Sequence, residues 1–330
     1  MELILFIVLL GLAFDYTNGF HDAANVVSTV IATRVLAPLT AIVLAGVLNT
    51  IGATHTSGVV ETIAEGLVRP TEVTQIMILS ALIGAIIWNL ITWYFGIPSS
   101  SSYALVGGMI GAALLGGGTE IIIWEGLVWK VILPMVFSPL IGFVLAFVLI
   151  KFLFFLRIHY LRKRGDFVFR HLQIASASIV ALAHGFNDAQ KSMGIITLGL
   201  FSAGVIGAPL VPFWVILACA VTIGLGTAFG GFRIIRTVGF EITRIAPIQG
   251  FAAELSASCV ILGASLMGMP ISSTHMIVGS ITGVGAARGR KAVRWKIGQK
   301  MVAAWILTLP GAALVSCVFY KLIALFVSKN

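Results

Sequence analysis

Long apolar stretches dominate the chain, and only short polar stretches interrupt them. An α-helix needs about 20 mostly apolar residues to cross a bilayer, which is close to the length of each apolar stretch. The pattern therefore predicts an all-α polytopic membrane protein with on the order of ten hydrophobic units. Five of these units lie in the first half, at residues 2–34, 36–54, 73–95, 99–115 and 126–150.

Two short motifs occur twice along the chain, in the same order and at similar spacing. Two ordered matches indicate an internal duplication, where a single match would be expected by chance. We predict a first repeat at residues 1–150, a basic cytoplasmic linker at 151–170 and a second repeat at 171–330. The matched motifs are Gly19-Phe20-His21-Asp22-Ala23 with Gly185-Phe186-Asn187-Asp188-Ala189, and Gly96-Ile97-Pro98-Ser99 with Gly268-Met269-Pro270-Ile271.

Equivalent loops of the two repeats carry opposite charge. Residues 57–72 and 116–130 are mainly acidic, whereas their counterparts at 230–247 and 288–300 are mainly basic. Because Lys and Arg accumulate in cytoplasmic loops, the two members of each pair are expected on opposite sides of the membrane. The sequence thus predicts two inverted repeats in the cell membrane, with both termini extracellular.

The third and fourth units of each repeat are either two full spans or a re-entrant hairpin with a serine-rich tip. Gly96 and Pro98 favour the hairpin, because they suit buried irregular backbone better than a lipid-facing helix.

The first unit is too long for one straight span and carries polar residues near its middle, which predicts a helix broken inside the membrane. An intramembrane carboxylate costs ~2.5–3.5 kcal/mol on insertion scales and therefore indicates function. Helical spacing places Asn18, Asp22 and Asn25 on one face, where hard oxygen ligands suit Na⁺ or a proton. Mutual hydrogen bonding within the helix bundle is the alternative. The corresponding polar residues of the second half are His184, Asp188 and Lys191 on one face, with Asn187 and Gln190 beside them.

The serine-rich tips offer hydroxyl donors just before glycine-rich helices. The free N–H groups of a helix start carry about +0.5 of a charge, so two opposed starts could hold a tetrahedral oxyanion. Ordinary helix caps are the alternative for one copy. The tip residues are Ser99, Ser100, Ser101, Ser102, Ser272, Ser273 and Thr274.

Residues 19–25, 184–194 and 270–275 resemble the paired signatures of the inorganic phosphate transporter (PiT) family. The resemblance follows the order of motifs along essentially the whole chain. It implies a cation-coupled phosphate symporter in which Asp22, Asn25 and Asp188 lie near coupling ions, with Na⁺ one candidate, and the Ser/Thr tips surround phosphate.

From the motifs and the resemblance together, we place Asn18 and Asn187 with the cation and Gln190 with phosphate. His21, His184, Lys191 and His275 are further candidates for the site. For Lys191 the sequence leaves three roles open: neutralising Asp188, contacting the anion or extending to the membrane interface. His21 departs from the Asn that many family members carry, and Tyr103 stands where the second tip has His275.

Composition narrows the function further. Only 10% of the 330 residues are charged, which argues against a soluble domain, and the net charge of +9 arises from basic loops, which argues against nucleic-acid binding. Cys219, Cys259 and Cys317 lie in apolar runs without metal-ligand spacing. The expected partners are phosphate, co-transported Na⁺ or H⁺ and the lipid bilayer, with no resident cofactor; a homodimer is compatible with the sequence.

Three other functions stay open from the sequence. A sulfate or other oxyanion permease could use the same fold, because hydroxyls and helix starts distinguish tetrahedral anions poorly. A passive anion channel is a second alternative. A phosphotransfer enzyme is disfavoured, because the sequence has no Mg²⁺-binding acidic pair, phosphate loop or nucleophile elbow.

Overall fold

A computed structural model describes residues 2–160 and 165–327, and α-helices make up most of this part. Six helices are long and apolar enough to span a membrane, or up to eight spans if each of two bent helix pairs counts as one. The all-α polytopic prediction is confirmed. The helices are α1 Glu2–Ala32, α2 Pro38–Ala53, α3 Gly58–Glu65, α4 Gln75–Tyr94, α5 Ser101–Gly116, α6 Trp124–Gly126, α7 Leu133–Tyr160, α8 Gly165–Ser202, α9 Phe213–Phe229, α10 Phe232–Arg236, α11 Pro247–Leu266, α12 Ser273–Ala286 and α13 Trp295–Val327.

The first helix of each half is continuous, so the prediction of broken first helices is wrong. Helix α1 runs unbroken for 31 residues and α8 for 38 residues. Their central polar side chains are buried between helices, and most of them find partners on neighbouring elements. Because those side chains need no unwound backbone to find partners, the helical hydrogen bonds continue through both signatures.

The breaks occur instead directly after α2 in the first half and directly after α9 in the second half. Helices α2 and α3 meet at 75°, and α9 meets the continuation Phe232–Glu241 at 60°. Gly230 stands at the second break with φ +76°, a conformation that glycine adopts without a Cβ penalty. Segments that the charge pattern assigned to loops, at 57–72 and 230–247, therefore contain short helices.

Helices extend into both ends of the segment that we predicted as a linker at 151–170. Helix α7 extends to Tyr160 and α8 begins at Gly165, so the described part of that segment is helical. Arg157 and Asp166 form an ion pair of 2.7 Å across the connection. The most basic part of the predicted linker, Arg162, Lys163 and Arg164, lies outside the described residues.

The two halves interlock along their whole length. Helix α9 packs on α1 and α2 packs on α8, while α13 covers the hairpin α4–α5 and α7 covers the hairpin α11–α12. Helices α1 and α8 lie antiparallel, since Ile7 contacts Gly199, Gly11 lies against Ile196, and Asp15 bonds Ser192. This crossing brings the middles of the two signature helices together.

Both serine-rich segments lie at the turns of helical hairpins. Gly96 (φ +65°) and Gly268 (φ +71°) make the equivalent turns in the two halves, where glycine accommodates the left-handed backbone. The hairpins α4–α5 and α11–α12 thus each present their hydroxyl residues at the start of the second helix.

Candidate functional site

The two signature aspartates and both serine tips meet at one buried point. Ligand atoms of Asp22, His184 and Asp188 all lie within 4.8 Å of one another, which is close enough to share a cation. Helix α1 supplies Asp22, and the antiparallel helix α8 supplies the other two. All three side chains are buried.

Asp188 is surrounded by donors and positive charge. Its Oδ1 contacts the Lys191 ammonium, and its Oδ2 lies 2.8 Å from His184 Nε2. The Asn187 amide donates at 2.9 Å, and the Ser273 hydroxyl donates at 2.9 Å. Since a buried carboxylate needs compensation, Lys191 makes this charge tolerable inside the protein.

Lys191 connects the two tips. Besides Asp188, its ammonium contacts the Ser102 hydroxyl at 2.5 Å and the backbone carbonyl of Ile271 at 3.0 Å. An ammonium has three donors, so these three oxygens account for all of them. The fully buried Lys191 therefore belongs to the centre of the site.

The surroundings of Asp22 are less complete. His21 Nδ1 lies 2.7 Å from Asp22 Oδ1, and the Thr274 hydroxyl donates to the same oxygen at 3.3 Å. Asn25 donates to Thr274 at 2.9 Å, but its own Oδ1 has no partner within the described residues. Both amide atoms of Asn18 are likewise buried without a partner there.

The tips combine hydroxyl groups with two helix starts. Ser100 and Ser272 cap α5 and α12 by accepting bonds from the backbone N–H groups of Tyr103 and His275. Caps satisfy one orphan N–H each and leave the positive end of the helix dipole in place. The Ser101 hydroxyl is buried without a partner in the described chain.

Each signature holds the tip of its own half through the residue before the aspartate. His21 Nε2 contacts the Thr92 hydroxyl at 3.1 Å and the Ser99 hydroxyl at 3.3 Å. Asn187 donates to the Ile271 carbonyl at 3.0 Å, while its Oδ1 accepts from Ser265. Both side chains are thus engaged in positioning the tips.

Two predicted residues lie away from this centre. The Gln190 carbonyl oxygen accepts from the backbone N–H and the hydroxyl of Ser57, at the break between α2 and α3. His275 packs its ring 4.0 Å from the Trp305 ring and 5.1 Å from the Tyr103 ring, measured between centroids. The structure therefore does not bring Gln190 or His275 into the cluster around Asp22 and Asp188.

Sequence reasoning overlooked several buried polar residues that support the site. Thr92 holds His21 and Ser99, and Asn49 donates to Thr227 at 2.6 Å and lies 3.2 Å from His184. Each is one of a few polar residues scattered through a mainly apolar unit, which is weak evidence when taken alone.

Comparison with known proteins decides the family. A family model described as the phosphate transporter family matches residues 18–316. The chain belongs to the phosphate transporter family. Family membership, together with the several long apolar helices, makes it a multi-pass membrane protein.

Relatives of this chain in the phosphate transporter family match it over nearly its whole length. A Rhizobium meliloti (strain 1021) protein named "Probable low-affinity inorganic phosphate transporter" is 47% identical over 316 residues, 95% of this chain and 94% of that protein. A Bacillus subtilis (strain 168) protein of the same name is 44% identical, with 96% of each chain covered. Such relatives are transporters, so the prediction that the chain is not an enzyme is confirmed, and the sulfate alternative is not favoured.

A solved structure shares the fold. The protein titled "The sodium-dependent phosphate transporter" superposes with a TM-score of 0.90 at 26% identity, and the match covers 98% of this chain and 100% of that chain. The family resemblance inferred from the paired signatures is therefore confirmed.

Proposed function

We propose that the protein imports inorganic phosphate across the cell membrane by symport with Na⁺. The observation that carries this proposal is the convergence of two hydroxyl-bearing helix starts and two carboxylates at one buried point. A tetrahedral anion and a monovalent cation find complementary groups there within a few ångströms. The choice of cation is supported by the 26%-identical solved structure, which is that of a sodium-dependent phosphate transporter.

Phosphate is assigned to the tips. The hydroxyl groups of the two tips and the N-termini of α5 and α12 supply donors and partial positive charge without an arginine. The Ser101 hydroxyl, which is buried without a partner in the described residues, supports this assignment because it is available to a ligand.

The cation is assigned to Asp22. Asn18 and Asn25 lie one turn away on the same face of α1, and both have a buried carbonyl oxygen without a partner in the described residues. Carboxylate and amide oxygens are hard ligands that suit Na⁺.

Cation coupling also has an energetic reason. Moving one negative charge into a negative-inside cell costs ~2.3 kcal/mol per 100 mV, so an anion alone is poorly accumulated. A co-moving cation cancels part of that charge and adds the free energy of its own gradient.

Uptake of ³²P-labelled phosphate into proteoliposomes tests the proposal. An inward Na⁺ gradient is expected to drive accumulation above equilibrium, and an ionophore that collapses the gradient should abolish it. Excess unlabelled sulfate should leave uptake unchanged. Accumulation driven only by a pH gradient would replace Na⁺ with H⁺, and uptake indifferent to both gradients would indicate a passive channel.

We further propose that the halves are inverted repeats with extracellular termini. Antiparallel packing of α1 on α8 and the opposite charges of equivalent loops both support this orientation.

A further inference from the structure

The two signatures place different residues at equivalent positions around their aspartates. Four residues before the aspartate stand Asn18 and His184, and three residues after it stand Asn25 and Lys191. On a helix both positions share a face with the aspartate. The repeats therefore surround two neighbouring aspartates, whose ligand atoms lie within 4.8 Å of each other, with different side chains.

At Asp188 the equivalent positions are filled by groups that contact the carboxylate. His184 Nε2 lies 2.8 Å from it, and the Lys191 ammonium contacts it directly. The same ammonium reaches a hydroxyl oxygen of Ser102 and the carbonyl oxygen of Ile271. These three oxygen atoms, from a carboxylate, a hydroxyl and a backbone carbonyl, are also suitable ligands for Na⁺.

At Asp22 the equivalent positions leave oxygen atoms free. The carbonyl oxygens of Asn18 and Asn25 are buried and have no partner among the residues that the structure describes. Asn25 and Lys191 nevertheless make equivalent contacts. Asn25 donates to Thr274 and Lys191 donates to Ser102, and these two hydroxyl residues occupy matching positions in the two tips. The difference between the sites is thus a tethered ammonium at one and unfilled ligands at the other.

We propose that the Lys191 ammonium acts as a built-in cation that permanently occupies the Asp188 site, so that a diffusible Na⁺ binds only at the Asp22 site. The inference rests on the proposed function and adds a consequence for coupling. The tethered charge stabilises Asp188 but does not cross the membrane with the substrate. The protein therefore moves one cation fewer per phosphate than a transporter in which both sites are open.

Counting bound sodium tests this inference directly. The full-length protein, purified in detergent with phosphate present, is titrated with ²²Na⁺, and the number of ions per chain is determined for wild type and variants. Lys191→Asn gives the second site the same residue as the first and is expected to bind one more Na⁺ than wild type. Asn25→Lys introduces an ammonium beside Asp22 and is expected to lose the wild-type ion.

Two controls separate this effect from general changes in charge or folding. Lys191→Arg should keep the wild-type count, and Lys300→Asn removes an exposed lysine of α13 and should also keep it. Size-exclusion profiles check that each variant is folded. If Lys191→Asn fails to fold, the wild-type count still decides: one bound ion supports the inference, and two overturn it.

The outcomes distinguish this inference from the proposed function. Suppose that wild type binds sodium. If Lys191→Asn then binds no additional ion, or if Asn25→Lys keeps its ion, the built-in cation is overturned and sodium symport still stands. Two ions bound to wild type would do the same. No sodium bound to wild type or any variant would contradict both proposals.

Discussion

Asp22 and Asp188 occupy the same place in two copies of one signature, yet their partners differ. The residue before each aspartate holds a tip: His21 contacts Ser99, and Asn187 contacts the Ile271 carbonyl. A histidine and an asparagine both carry a polar nitrogen, and each reaches the tip of its own half through it. Asn187, which we placed with the cation from the sequence, contacts both Asp188 and the second tip.

Removing the charge of Asp22 tests the cation site. Asp22→Asn should lower Na⁺-driven phosphate uptake about 100-fold or more, because losing a contact to a charged group worth ~3 kcal/mol corresponds to that factor. The variant should remain folded in the membrane. Asp166→Asn is the matched control, since Asp166 is exposed and pairs only with Arg157 in the described residues. Wild-type uptake by Asp22→Asn would refute the assignment.

Weakening the anchor of the second tip tests its positioning role. Asn187→Ala removes the bonds to Ile271, Ser265 and Asp188 and should raise the half-saturating phosphate concentration roughly 10-fold, the effect of ~1.4 kcal/mol. Concentration series of labelled phosphate uptake measure it. Ser265→Ala, which removes one bond, should give a smaller increase, and an unchanged value in Asn187→Ala would show that the tip needs no anchor.

Among the elements, the signature glycines set how closely the helices cross. A Cβ on Gly19 would lie 2.4 Å from the Ile223 carbonyl oxygen of α9, and one on Gly185 would lie 2.1 Å from the Asn49 carbonyl oxygen of α2. Such distances are shorter than van der Waals contact, and the opposing atoms are backbone. These glycines therefore serve helix packing, as small residues do in membrane proteins.

Adding one methyl group to that crossing should destabilise the fold. Gly185→Ala is expected to lower the melting temperature in detergent, because overpacking a tight contact costs about 1–3 kcal/mol. Gly298→Ala is the control: nothing lies within 4 Å of its Cβ position, and alanine favours the helix. Size-exclusion profiles recorded after heating measure the melting temperature. Equal melting temperatures for Gly185→Ala and wild type would contradict the close crossing of the helices.

The short helices α3 and α10 hold the turns of the tips that belong to the other half. Thr62 of α3 donates to the Gly268 carbonyl at 2.7 Å, and Thr237, just after α10, donates to the Gly96 carbonyl at 2.9 Å. The segment of the first half at α3 thus holds the hairpin turn of the second half, and the segment of the second half at α10 holds the hairpin turn of the first half.

For the molecule as a whole, the proposed inverted repeats predict that equivalent segments of the two halves lie on opposite sides of the membrane. Helix α3 carries the acidic Glu61 and α10 the basic Arg233, and both residues are exposed. Positive residues favour the cytoplasmic side, so the inverted arrangement that we propose would place these two helices on opposite faces of the membrane.

Cysteine accessibility in right-side-out vesicles measures that orientation. In a chain with its three native cysteines replaced by alanine, Glu61→Cys should react with an impermeant maleimide from outside, whereas Arg233→Cys should react only after permeabilisation. Reaction of both from one side would rule out the inverted repeats and the extracellular termini.

The sequence by itself predicted the all-α membrane fold and the family, both of which are confirmed, and it singled out the serine tips, Asp22 and Asp188 as candidate site residues. These features are local: apolar stretches long enough for a bilayer and motifs that occur twice are legible without knowing what they contact. Only the tertiary structure decided that α1 and α8 stay continuous, that Gln190 turns to Ser57, and that Lys191 reaches Ser102 of the other half. Those outcomes depend on partners far away in the sequence, because a buried polar group takes whichever donor or acceptor the packing brings to it.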